Sequence, residues 1–362
     1  MLRRPVLATT CLLLTGCGAA QVPAAGLASE VATVAVGDRP RSLVAADFDG
    51  DGSLDLATAN ADSQTLSILL RSDGDALAFD RSDVPAGTEP ADLSVADFNG
   101  DGHADIAVAN HETSGVTVLL NNGRGGFAPM PGSPFDAGAA PHLHSVTAAD
   151  FDGDGHVDIA CDSSDTDAIA MLWGRPGGGF EAASVPAGDF PYYQLDLARP
   201  AAQPRPTLVV PSSGGRTVRS HVFDANRRPT LTTIATGVGA MVVAGGDFNG
   251  DARPDVAAAH DDSVTFWLGG EDDFSRADRV EVAGVFELAA GDLDGDGTDE
   301  LAVSQWDETT IRIVDADGNE RGRVEFCHRP ASMWLGDLTG DGLAELAVGC
   351  WEEPVVRIYQ LR

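Results

Sequence analysis

The sequence predicts an all-β chain folded into a ring of seven blades, a β-propeller. Three observations predict it. An acidic nine-residue loop recurs down the chain, its copies start about 45–53 residues apart, and each repeat holds four short strand-like runs. A period of that size marks a repeat architecture in which neighbouring units bury one another's apolar faces.

The loop is plainest at Asp47-Phe48-Asp49-Gly50-Asp51-Gly52-Ser53-Leu54-Asp55. Side-chain oxygens fall at positions 1, 3, 5 and 9, and the glycine at position 6 permits a left-handed backbone. A hard cation takes several oxygens at about 2.3–2.6 Å, one of them a main-chain carbonyl at position 7. The chemistry is that of a calcium loop. Five further copies carry Asp97, Asn99, Asp101, His103 and Asp105; Asp150, Asp152, Asp154, His156 and Asp158; Asp247, Asn249, Asp251, Arg253 and Asp255; Asp292, Asp294, Asp296, Thr298 and Glu300; and Asp337, Thr339, Asp341, Leu343 and Glu345. Position 7 is chemically scattered, as expected where only the main chain binds. His103 and His156 are therefore read as solvated turn residues, not transition-metal ligands. Up to six structural Ca²⁺ ions are expected, between the first and second strands of six blades. Between the third and next copies, Gln194 to Ala198 and Thr207 to Val210 stand where a copy is due. They are read as a degenerate blade, its lost loop placed at Asp196.

Strand candidates in the first repeat are 42–46, 54–59, 65–70 and about 78–84. Short strands joined by Gly/Asp/Asn turns at this spacing suit propeller blades. The second strand of each repeat is a continuous apolar run, such as Ile106-Ala107-Val108 or Leu301-Ala302-Val303. Such runs predict burial on both faces, where blades stack. The chain ends on a third-strand pattern, and Val31 to Val36 looks like a fourth strand. An N-terminal strand is thus expected to complete the last blade and to remove an exposed edge.

The formal charge is −33, with 56 acidic and 23 basic residues, and 21 of the acids take ligand positions in the six loops. Nucleic acid and anionic surfaces are poor partners for such a field. The first residues read as an export signal: Arg3-Arg4, an apolar Val6 to Leu14, then Leu14-Thr15-Gly16-Cys17. That last tetrapeptide resembles a bacterial lipobox, which implies that 1–16 is removed, Cys17 is lipidated and 17–29 is a flexible tether ahead of a propeller over 30–362. The expected address is the cell envelope, at the outer membrane where one exists, with membrane contact only through the lipid. Cys161, Cys327 and Cys350 remain; Cys327 and Cys350 fall at one end of the last sheet, where an oxidising compartment permits a disulfide.

With those residues in place, the Asp-Phe-Asn-Gly-Asp-Gly-x-x-Asp-Ile-Ala-Val pattern resembles the FG-GAP, or VCBS, repeat of integrin alpha subunits and bacterial surface proteins. The resemblance spans roughly residues 30–362 and implies a calcium-braced propeller. The pattern departs at Ala252, which takes the place of the position-6 glycine, at Thr339 in position 3, and in the blade around Asp196.

Ligands of propellers meet the face opposite the acidic loops. Counting 14 residues on from each loop start gives Ala61, His111, Ser164, Asp261, Trp306 and Trp351. The two tryptophans suit either a stacking platform for sugars or ordinary packing between blades. The entry loops add Arg39, Arg41, Glu89, His142, His144, Tyr192, Tyr193, His328 and Arg329. No nucleophile, acid/base pair or open metal position appears at telling spacing. The expected function is binding of a protein or carbohydrate partner, by a monomer, without chemistry. A calcium-dependent lectin-like module, or a polysaccharide lyase or dehydratase on the same scaffold, stays open.

Overall fold

A computed structural model describes residues 28–361, apart from 73–76, 140, 164–165, 188–190, 192–193, 199–204, 213–215, 237–238, 261 and 271–273. Cys17, Tyr192, Tyr193, Ser164 and Asp261 lie outside the described residues. All named elements among the described residues are strands, and they form seven antiparallel sheets. The first blade runs Pro40–Ala46, Asp55–Asn60, Thr65–Arg71 and Phe79–Pro85, each strand beside the next. The second blade splits its outer edge into Phe127–Pro129 and Phe135–Asp136, both paired with Gly115–Asn121. The seventh takes its outer strand from the start of the chain: Ala28–Ala35 pairs antiparallel with Val355–Leu361, Val34 facing Val356.

The burial follows the sequence pattern. Leu56, Ile106, Ile159, Val256, Leu301 and Leu346, all on second strands, have no exposed surface. Each such side chain stabilises the fold by roughly 1.5–3 kcal/mol. The outer strand Phe79–Pro85 is by contrast mostly exposed. Position 2 of the acidic loops anchors them between blades. Phe48 meets Phe127 of the next blade edge to face at 5.5 Å, and Phe151 meets Phe223 likewise at 5.9 Å. Cys327 and Cys350 are joined, their Cα atoms 6.1 Å apart. Cys161 is buried, and burial pushes its thiol up.

The fourth blade corrects one sequence expectation. Asp196 is not the first residue of a lost loop. It lies within the inner strand Asp196–Ala198, paired with Val209. Its carboxylate accepts hydrogen bonds from Leu197 N and from Gly245 N of the fifth blade, at 2.7 and 2.9 Å. Asp92 does the same in the second blade, accepting from Leu93 N and from Val146 N of the third. Asp196 is thus the counterpart of Asp92, a staple between inner strands.

His221, on the third strand of this blade, is buried beside Phe223. Burial, then the charge of Arg219, lowers its pKa from 6.5 to about 4. A depressed histidine leaves stability intact above pH 6.5, where folded and unfolded chains are both neutral. The unfolded chain then gains a proton that the folded one refuses, so stability falls as pH drops from 6.5 towards 4, by about 3 kcal/mol at most. His221→Leu should lose less melting temperature over that range than the parent chain. An unchanged slope would mean that His221 is not the sensitive group.

Candidate functional site

Two faces of the ring carry chemistry. On one, the six acidic loops close on themselves. The position-1 carboxylate cages the turn: Asp47 accepts from Gly50 N at 2.7 Å and Gly52 N at 2.9 Å. The same cage recurs at Asp97, Asp150, Asp292 and Asp337. Ala252 adopts φ 59 where the other loops have glycine, and its N–H still reaches Asp247 at 2.7 Å. The left-handed turn therefore survives its missing glycine, at a cost of about 1–2 kcal/mol.

Position 9 ties each loop to its sheet. Asp55 accepts from Phe48 N at 2.8 Å and from Arg71 N, at the end of the third strand, at 2.7 Å. Asp105, Asp158 and Asp255 repeat both bonds. Glu300 and Glu345 keep the first, to Leu293 N and Leu338 N. These carboxyls are buried, and burial raises Asp55, Asp105 and Asp255 to about 6 and Asp158 to about 7, with the neighbouring loop acids adding to it.

The residues present fit a hard divalent cation. Ligand oxygens of Asp47, Asp49 and Asp55 lie within 4.8 Å of one another, as do those of Asp150, Asp152 and Asp158, and of Asp292, Asp294 and Asp296. In the other three loops position 3 is Asn99, Asn249 or Thr339. Two loops also face an arginine: Arg227 of the fourth blade meets Asp152 at 2.8 Å, and Arg321 meets Asp294 at 3.1 Å. His103 is exposed and His156 half-buried, in the loop turns.

The opposite face is built by a repeated backbone device. Eight residues before five of the six loop starts, Arg39, Glu89, His142, Gly284 and Arg329 all have positive φ. The carbonyls of four of them accept the N–H of the residue 14 after the loop start: Ala61, His111, Trp306 and Trp351, at 3.0–3.1 Å. One turn thus sets two residues next to each other on the rim of every such blade. The result is a continuous band. Trp306 and Trp351 meet edge to face at 5.4 Å, with Phe286 4.5 Å from Trp306. The rings form a corner, not a flat shelf. Arg39 and Arg41 lie over Trp351 at 5.3 and 5.7 Å, and Arg329 over Trp306 at 4.9 Å. Glu89 links Arg39, at 2.7 Å, to His111, at 3.8 Å. His111 packs on His142 and His144 at 5.1 and 4.9 Å. Asp162, fully buried, holds His144 Nδ1 at 3.0 Å. His328, at the other end of the band, lies 3.8 Å from Glu352, which also pairs with Arg329.

Beneath the band a central cavity of about 430 Å³ is lined by the inner strands of all seven blades. Five residues before the loop starts stand Ser42, Asp92, Glu287 and Ser332, joined there by Asp196. Burial raises Asp92, and raises Glu287 well above the carboxylate range, with Asp92 the next cause. Gln194 donates to Glu287 at 3.0 Å. Arg41, His144, Phe286 and Trp351 close the mouth of this cavity. The sequence reading passed over Phe286, Asp162 and Glu287. Setting the inner strands in register would have marked Phe286 and Glu287 as channel positions, whereas Asp162 has no signal short of the fold.

Comparisons with known proteins agree with this geometry. A model of the FG-GAP-like repeat matches residues 47–108, 97–161 and 247–303. No curated protein sequence is significantly similar to the chain. Among solved structures, the BBS1 N-terminal domain crystallised with ARL6 shares 12% identity over 93% of this chain and 97% of its own, with a TM-score of 0.64. The propeller domain of Cps50 (Swd1) from Myceliophteria thermophila shares 12% over 92% and 100%, at 0.61. Hydrazine synthase from Kuenenia stuttgartiensis shares 16% over 87% and 96%, at 0.59. At these identities the likeness is one of fold.

Proposed function

Since the chain carries FG-GAP-like repeats on a seven-bladed propeller, a scaffold that fits a non-catalytic binding role, we propose a calcium-stabilised, lipid-anchored protein of the bacterial cell envelope that binds a protein or glycan partner through the face opposite its acidic loops. One observation carries the choice of face. In a chain of net charge −33, the half-exposed aromatic corner of Trp306, Trp351 and Phe286 is overlaid by three arginines. Indole and guanidinium are the groups that dominate binding energy at recognition surfaces. The planar guanidinium also matches carboxylate, sulfate and phosphate in pairs of hydrogen bonds. The rings sit in two adjacent blades, and Ala61 and His111 take the equivalent places elsewhere, which favours a single recognition site over the repeated pockets of a lectin.

Calcium belongs to this reading as the brace of the other face. Its support is the oxygen-only donor set that converges in three loops, together with the acidity that a bound cation would offset. A second reading, a polysaccharide lyase or dehydratase, takes support from Arg41, His144 and Glu287 around the cavity.

A glycan array and a cell-surface protein pull-down, each with and without Ca²⁺, should yield a partner whose affinity falls about tenfold or more in Trp306→Ala/Trp351→Ala. The melting temperature should move little. Equal losses of binding and stability would return both rings to packing, and shortened glycan products would favour the lyase. The anchor is checked separately: Cys17→Ser should abolish labelling by a fatty-acid probe, and a variant that still labels would refute lipidation.

A further inference from the structure

We propose that His111, Glu112 and His142 form a divalent transition-metal site of the Zn²⁺ class, bridging the second and third blades on the face opposite the acidic loops. One ligand atom from each lies within 4.8 Å of those of the other two. His111 and Glu112 come from the turn between strands Asp105–Asn110 and Gly115–Asn121, and His142 from the loop entering the third blade. The backbone fixes both parts. His111 N is bonded to Glu89 O, and His142 is held at φ 83, an uncommon conformation for a residue with a side chain.

The chemistry of the donors selects the metal. Two imidazoles and one carboxylate are a borderline nitrogen/oxygen set, the kind that Zn²⁺ takes with a fourth position left to water or ligand. It differs from the all-oxygen sets of the acidic loops, which suit Ca²⁺. His111 Nδ1 is buried and makes no hydrogen bond; Glu112 Oε1 is 3.5 Å away and Glu89 Oε2 3.8 Å. A buried ring nitrogen that makes no hydrogen bond is costly unless something occupies it. Behind it, the ring of His144 packs on His111 and is itself fixed by buried Asp162. His142 and Glu112 are exposed. A tetrahedral zinc shell sets donors ~3.3 Å apart, so binding requires these two side chains to close on the ion.

The test uses the tag-free chain saturated with Ca²⁺, so that the acidic loops are occupied. Calorimetric titration with Zn²⁺ should show one equivalent bound. Co²⁺ in its place should give the visible absorption of a site with nitrogen ligands. His111→Ala and His142→Ala should each weaken Zn²⁺ about tenfold or more without moving the melting temperature in Ca²⁺. Because His142 is exposed, its variant carries the test if His111→Ala fails to fold. Absence of Zn²⁺ binding to the parent chain overturns the proposal. So does the same stoichiometry and affinity in the double variant, which would place the ion elsewhere.

Discussion

The carboxylate at position 9 of the acidic loops is the interaction on which the ring depends. In four blades it sits buried at the start of the second strand and accepts two backbone N–H groups, one from its own loop and one from the end of the third strand. Those bonds satisfy donors that the tight turn would otherwise leave unpaired in the interior. They also fix the residue at position 2, whose ring then fills the groove towards the next blade. Loop, blade and blade–blade contact thus hang on one side chain. The arrangement presses further acids against a buried charge, which is why burial and neighbours push these carboxyls up to about 6 or 7. A bound cation would offset that repulsion where it arises.

On the opposite face the same repeat leaves chemistry free. The left-handed residue and its carbonyl bond hold the backbone constant from blade to blade. The two residues that each such turn displays are then free to vary in type, and they range from Ala61 and Gly284 to Trp351 and Arg329. Uniform backbone with variable side chains is the usual division between scaffold and site. Here the variation gathers into an aromatic and arginine corner at one arc of the ring and a histidine and glutamate group at another, joined by Arg39 and Glu89.

Much of this was legible in the chain. The loop motif and its period gave the blade count, and the apolar second strands and the strand-like ends are paired as their patterns implied. Cys327 and Cys350 fell at one end of one sheet and are bonded. Asp196 was misplaced because an acid in a strand and an acid in a loop look alike once the rest of the motif has gone. Hydrogen bonding, not residue type, identifies it with Asp92. The site was half legible. Equivalent positions could be counted along the chain, which found Trp306, Trp351 and His111. Their convergence on Phe286, Asp162 and the arginines of other blades depends on ring geometry that no local pattern carries.

In the proposed function calcium holds the acidic loops, and through them the ring. A ligand confined to the folded state contributes about 2.7 kcal/mol per site at a hundredfold excess over its Kd, a large share of a stability of about 5–15 kcal/mol. Thermal melting of the chain in millimolar Ca²⁺ and in excess chelator measures it directly. Chelation should lower the melting temperature sharply and reversibly, with poor rescue by Mg²⁺, which demands tighter octahedral geometry. The same melting temperature in both buffers would contradict it.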